Sequence, residues 1–350
     1  MNAVRCPVRR RDVRPAFTLA ELLVVITIIG MLAALVSGGL IVSRQAARES
    51  ATKATVAKLH NIITAKYEEY RTRRVPIDTT GMPNLQLAAL ARLQALRDLM
   101  RMEMPERWSD IQQLPQCVLL ANAPSVYLAY RARCLDNSGN LIPTPANAPA
   151  ECLYLIVTIA CGPDARRQFH AAEIGDTDPS GPDGFPEFLD GWGHPIYFLR
   201  WAPGFNDSDV QANAVAQSEL DAQPAGQEIQ AWTTSNTLTL RQQVAQEDHD
   251  PFDPRRLDMS ADPTNSNDPP RGWRLVPLIY SGGPDVWFDD TAQQWHGYGL
   301  SIDDTSNPYV WRPALADSPY VRGWGLPVRD SISQSWVHYD NIHNHRIEPR

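Results

Sequence analysis

Residues 16–42 read AFTLAELLVVITIIGMLAALVSGGLIV, and from Leu22 to Val42 there is no charge in 21 positions. As a helix rising about 1.5 Å per residue, that stretch covers about 31 Å, enough to cross a hydrocarbon core of about 30 Å. Just upstream, residues 1–16 carry five arginines (Arg5, Arg9, Arg10, Arg11, Arg14) against one acid, Asp12. By the positive-inside rule this basic flank stays in the cytoplasm. Two ordinary readings compete for such a segment. A secretory signal peptide has a shorter apolar region, about 7–15 residues, followed by a small-residue cleavage site. A simple signal anchor fits the length but gives no role to Glu21, which sits at the mouth of the apolar run. An ionisable group there is costly in lipid and by default has a partner and a purpose.

The ordered string Ala16-Phe17-Thr18-Leu19-Ala20-Glu21-Leu22 resembles the leader-peptide site of type IV prepilins and type II secretion pseudopilins. The resemblance implies that prepilin peptidase cuts on the cytoplasmic side between Ala16 and Phe17 and that Phe17 becomes the methylated first residue. The family usually has glycine before the cut, where this chain has Ala16. Glu21 would then neutralise the Phe17 ammonium of a neighbouring subunit while the apolar segment stays attached and packs in a filament core. The implied location is the bacterial inner membrane, crossed once, with the N-terminus cytoplasmic and the head periplasmic. The implied partners are the peptidase and other pilin or pseudopilin subunits.

Downstream, no proline occurs between Phe17 and Pro76. Val56, Leu59, Ile62, Ile63, Lys66 and Tyr70 recur at spacings of three and four, so the pattern predicts that the helix continues as an amphipathic one to about Arg74. A break near Ser37-Gly38-Gly39 is the competing reading. The chain then divides into a cleaved leader (1–16), a long helix (17–75, membrane-spanning over 22–42) and an extracytoplasmic head (76–350). A second amphipathic helix is expected from Leu85 to Met104. Cys152–Ala160 is rich in β-branched residues and reads as a strand, with a helix as the alternative.

Two later strings look like strands of an antiparallel sheet. Asp190-Gly191-Trp192-Gly193-His194-Pro195-Ile196-Tyr197-Phe198 resembles the Asp-x-Trp-Gly-x-Pro segment of major pseudopilins. Trp273–Ser281 with the following Gly282-Gly283-Pro284-Asp285 resembles the strand and loop near their C-terminal end, in the same chain order. The fold class expected is therefore α+β and pilin-like: a long N-terminal helix packed on an antiparallel β-sheet head. Residues 203–271, long, polar and rich in Gln, Asn, Asp and Pro, read as a large insertion, a surface excursion absent from small pseudopilins.

The whole chain carries a net charge of −8, and with +4 on residues 1–16 the remainder carries about −12. An acidic head argues against nucleic acid as a partner, because phosphate neutralisation needs Lys and Arg. Of five cysteines, Cys117, Cys134, Cys152 and Cys161 cluster in sequence without a CxxC pair. An exported head admits one or two disulfides, with buried free thiols as the alternative. If Cys152–Ala160 is a strand, Cys152 and Cys161 lie about 30 Å apart and cannot bridge each other.

The leading metal candidate is the loop Asp176–Glu187. Aligned to a twelve-position calcium loop, Asp176, Asp178 and Glu187 fall at the first, third and last positions, Ser180 at the fifth and Gly181 at the sixth. Its three prolines, and the lack of a helix pattern after Glu187, set it apart from an EF-hand. The resemblance adds that major pseudopilins often hold calcium in a head loop, the one cofactor implied. A second candidate is Asp285, Asp289 and Asp290, with Asp303 and Asp304 further on. Its position matches the region where major pseudopilins bind calcium, although its spacing fits no specific loop and a solvated turn is the simpler reading. His338, His343 and His345 with Asp340 form a third group, on what reads as a flexible tail. No Gly-x-Ser-x-Gly elbow, phosphate loop or His-Glu-x-x-His occurs, so no enzymatic constellation is visible. The function expected is a structural filament subunit. A head larger than a typical major subunit favours a minor one, and the alternative is a membrane-anchored binding module that does not polymerise.

Overall fold

The computed structural model describes residues 18–75, 77–78, 80–114, 123–178, 181–228, 235–257, 272–289, 294–300 and 325–346. The chain falls into two compact units, one ending at Ala47 and the other beginning at Arg48. Helix α1, Leu19–Glu68, is followed directly by a 3₁₀ turn, Glu69–Arg71. Among the described residues it is the one helix long and apolar enough to cross a membrane. In the first unit its large apolar side chains, from Leu19 through Val42, are exposed. The helix runs unbroken through Gly38 and Gly39, so the two-helix reading is not realised. Each glycine costs about 1 kcal/mol relative to alanine, which is too little to interrupt so long a run.

In the second unit the same helix buries a stripe, Thr52, Thr55, Val56, Leu59, Ile63 and Tyr67, with the steps of three and four that put residues on one face. That stripe joins a core shared with Leu96, Leu99 and Met100 of α2 (Leu85–Glu103) and with Phe188, Phe198, Ile279 and Ile342. Helix α2 starts where expected because Asn84 caps it, its Oδ1 accepting from the Leu87 amide at 2.7 Å. The ends of the two helices meet through Glu103, which accepts from Tyr70 Oη at 2.8 Å and from Arg73 Nη2 at 2.5 Å.

Short helices follow: α3 (Trp108–Gln112), α4 (Ser125–Cys134), α5 (Ala148–Leu155) and α6 (Pro163–Arg166). Helix α5 continues as a π-helical turn, Ile156–Ala160, so the Cys152–Ala160 run is helical and the strand reading is corrected. The physical reason lies just upstream. Pro149 sits in the first turn, where its missing N–H costs nothing, and it starts a helix that burial on nearly every face then stabilises. Cys134 and Cys152 are buried, Cys161 is half-buried, and all three are free thiols; Cys117 lies outside the described residues.

The strands are short. Strands β1 (Ile174–Gly175) and β2 (Glu187–Phe188) form an antiparallel hairpin with Gly175 opposite Glu187. Strand β3 (Tyr197–Leu199) pairs antiparallel with β4 (Leu278–Ser281), which pairs in turn with β7 (Ile342–His343), giving the sheet order β3-β4-β7. A further hairpin joins β5 (Trp287–Asp289) to β6 (Gln294–His296). Helices and antiparallel sheets together make the head α+β.

Two expectations are corrected here. His343 belongs to the sheet, opposite Tyr280, so the C-terminal histidines are not on a flexible tail. The described part of 203–271 is not a surface excursion either. It forms α7 (Gln217–Asp221) and α8 (Ser235–Glu247) and places Val215, Leu220 and Val244 in the main core. Its average composition is polar, but a few apolar residues at the right positions suffice to anchor it.

Candidate functional site

The N-terminal segment is organised by two side chains. The Thr18 amide and hydroxyl both donate to Glu21 Oε2, at 2.9 and 2.8 Å, and the Glu21 amide donates back to Thr18 Oγ1 at 3.3 Å. This reciprocal arrangement satisfies donors that the first helical turn would otherwise leave open. It fixes Glu21 at the start of the apolar run and leaves Oε1 available to an incoming cation. Ala16 and Phe17 lie outside the described residues.

In the head, the two resembling strings meet. Asp190 Oδ1 accepts the amides of Trp192 (2.8 Å) and His194 (2.9 Å), closing a tight turn, and Asp190 Oδ2 accepts from Ser281 Oγ at 2.6 Å. The turn also presses on α1. A Cβ at Gly191 would lie 2.3 Å from the Arg48 carbonyl oxygen, and the Gly191 amide donates to Thr52 Oγ1 at 2.8 Å. Only glycine fits that approach.

The acidic loop is brought together around residues that the sequence reading did not include. Asp176, Asp178 and Asp183 offer oxygens within 4.8 Å of one another, and so do Glu151, Asp178 and Glu187. Ser180 lies outside the described residues. Strands β1 and β2 flank the loop, so it closes a hairpin and is not set between two helices. Glu151 arrives from the first turn of α5, far upstream in sequence. Asn147, just before that helix, donates from Nδ2 to Glu187 Oε1 at 2.6 Å and accepts from Trp295 Nε1 at 2.7 Å. Thr144 donates its hydroxyl to Asp178 Oδ1 and its amide to Asp183 Oδ2, each at 2.7 Å.

Those donors leave part of the cluster unmet. Both carboxylate oxygens of Glu151, and Oδ2 of Asp178, are buried without a hydrogen-bond donor. Glu151 is 1% exposed, Glu187 0% and Asp178 7%. Burial, then the neighbouring Asp178, Asp183 and Glu187, push Glu151 up to about 11. Burial pushes Glu187 up to about 8 against the hydrogen bonds from Asn147 and Thr177, and Asp178 up to about 6. One signal in the sequence could have found Glu151: it is the single charged residue between Asp136 and Asp164.

The other candidates separate. Asp285, in a 3₁₀ turn, faces Asp340; burial and that second carboxyl push it up to about 7. Asp289 lies on β5, 3.9 Å from His296 Nε2, and Asp290, Asp303 and Asp304 lie outside the described residues. The histidines are engaged structurally. His345 Nδ1 meets Ser208 Oγ at 3.0 Å while its Nε2 meets the carbonyls of Val276 and Pro277, and His343 Nε2 meets Asp207 Oδ2 at 3.3 Å. His338 sits in a separate 3₁₀ turn.

A family model described as the prokaryotic N-terminal methylation motif matches residues 14–37, and that motif is the signature of type IV prepilin-like proteins. No curated protein and no solved structure matches the chain.

Proposed function

We propose that this chain is a structural subunit, a pseudopilin or minor pilin, of a type II secretion pseudopilus or type IV pilus-like filament. The observation that carries the proposal is the methylation motif at 14–37, laid on a helix whose apolar half exposes its side chains and whose mouth holds Glu21. In this reading prepilin peptidase cuts between Ala16 and Phe17 on the cytoplasmic face of the inner membrane and methylates Phe17. The subunit then waits with α1 in the bilayer and its head in the periplasm. Exposed apolar side chains are stable in lipid but not in water, so the helix leaves the membrane only for another apolar environment, such as the core of a filament.

Glu21 selects that exit. A carboxylate near hydrocarbon seeks a cation, and the new Phe17 ammonium of a neighbouring subunit supplies one. Thr18 holds the carboxylate through Oε2, so docking uses the free Oε1 without dismantling the helix start.

The test is the N-terminus of the membrane-extracted protein, by intact mass and terminal sequencing. A chain beginning at N-methylated Phe17 supports the filament reading. A chain retaining residues 1–16, in cells that process another prepilin, overturns it and leaves an anchored binding module.

A further inference from the structure

We propose that Glu151, Asp178 and Glu187, with Asp176 and Asp183 at the mouth, hold a calcium ion that ties the first turn of α5 to the β1–β2 hairpin.

Three observations lead there. First, the cluster draws on two elements far apart in sequence, and Glu151 is no part of the acidic loop. It is a nearly fully buried carboxylate whose two oxygens meet no donor and point at Asp178 and Glu187. Leaving a buried acceptor unmet costs about 1–3 kcal/mol, more for a charged one, and a cation at this point satisfies three such oxygens at once. Second, among the described residues no lysine or arginine is ion-paired with any of the five carboxylates. Several other buried acids of the head are covered by guanidinium groups, as Arg97 does Asp250 at 2.9 Å and Arg200 does Glu106 and Asp110. Third, the surrounding donors are arranged as a supporting shell. Asn147, Thr144 and the amides of Thr177, Gly184 and Phe185 orient the carboxylates and themselves remain behind them.

The chemistry of the set selects the ion. All donors are carboxylate oxygens, with no thiol or imidazole in either group, which suits a hard cation. Calcium binds oxygens at about 2.3–2.6 Å, so two ligands on opposite sides of one ion lie about 4.6–5.2 Å apart. Within each of the two triads, which share Asp178, the oxygens lie within 4.8 Å of one another and so fall inside that span. Magnesium, with bonds of about 2.0–2.1 Å and a strict octahedron, is satisfied less well by five crowded carboxylates. The site is built on different elements from the loop after Ser281.

The experiment uses the full-length chain, extracted in detergent and stripped with EDTA, followed by thermal unfolding and by terbium luminescence excited through tryptophan. Trp295 lies two hydrogen bonds behind the site, through Asn147 to Glu187, and is placed to sensitise terbium. Calcium at about 1 mM is expected to raise Tm by several degrees through linkage, magnesium at the same level by much less, and calcium is expected to quench the terbium signal. Glu151→Gln keeps the shape and removes a carboxylate ligand. It is expected to melt at or above the metal-free native chain while losing the calcium shift and at least about tenfold in terbium affinity. Asp183→Asn, at the more open mouth, is expected to fold normally and weaken both readouts. The proposal is overturned if calcium leaves Tm unchanged, if magnesium gives an equal shift, or if the shift survives intact in Glu151→Gln. Should Glu151→Gln not fold, an undiminished shift in Asp183→Asn overturns it. None of these readouts depends on filament assembly.

Discussion

Arg200 shows how much one residue can carry in this head. It is fully buried, donates to the Met104 carbonyl, and lies 3.3–3.4 Å from Glu106 and Asp110, with its guanidinium over the Trp201 ring at 4.3 Å. Removing one partner of such a group strands the others in low dielectric, at about 3–5 kcal/mol. Arg200→Met is therefore expected to destabilise the head by that amount in urea unfolding, and an effect below about 1 kcal/mol would contradict the account. Glu21 offers the opposite case, because its bonds lie within its own first turn. Glu21→Ala is expected to leave cleavage and helix content unchanged while removing assembled filaments, read by shearing and immunoblot. A third prediction concerns Asp285. Its raised value means that its contribution is complete below about pH 4, the ordinary carboxylate range, and is lost as pH rises through about 7. Asp340→Asn removes the facing charge and should flatten the fall in stability between pH 5 and 8, measured in EDTA against the native chain.

At the scale of elements, α1 was legible in the sequence because its two halves obey two simple rules. From Leu22 to Val42 charge is absent, and from Thr52 onward apolar residues return every three or four positions. Helix α2 was legible for the same reason, and the two strings read as strands of an antiparallel sheet supply β3 and β4, whose pairing and Asp190–Ser281 bond only the fold shows. What escaped was decided by tertiary context. Ile156, Val157 and Ile159 favour strands in isolation, but the helix nucleated at Pro149 carries into them. Glu151 escaped because a metal-loop template reads one contiguous segment, whereas the fold brings in an acid from a different helix. The contact between α1 and the turn at Gly191 gives a test at this scale. Gly191→Ala puts a methyl group into the Arg48 carbonyl, and overpacking of this kind costs about 1–3 kcal/mol. A fall in Tm without loss of secondary structure is the expected outcome.

For the whole molecule, the consequential finding is that the polar stretch 203–271 contributes to the core of the second unit. Deleting it removes Val215, Leu220 and Val244 together with the partner of Arg97, Asp250. The outcome expected is a head that fails to fold, seen as lost near-ultraviolet circular dichroism. A deletion that folds normally would return the segment to the status of an appended loop. Asn344 is bound in similarly: its Oδ1 accepts from the Ile279 amide at 2.7 Å, and its Nδ2 meets the Pro277 carbonyl at 2.9 Å.

Helix α1 keeps one backbone conformation while the medium it is suited to changes from oil to protein, and this leaves few places to cut the chain for work in water. A fragment beginning upstream of Val42 takes apolar side chains with it and needs detergent. One beginning downstream of Thr52 discards the hydroxyl that receives the Gly191 amide, and one beginning beyond Leu59 also tears a wall from the core. A fragment starting near Arg48 lies between these limits, so the range of useful soluble versions is about ten residues wide.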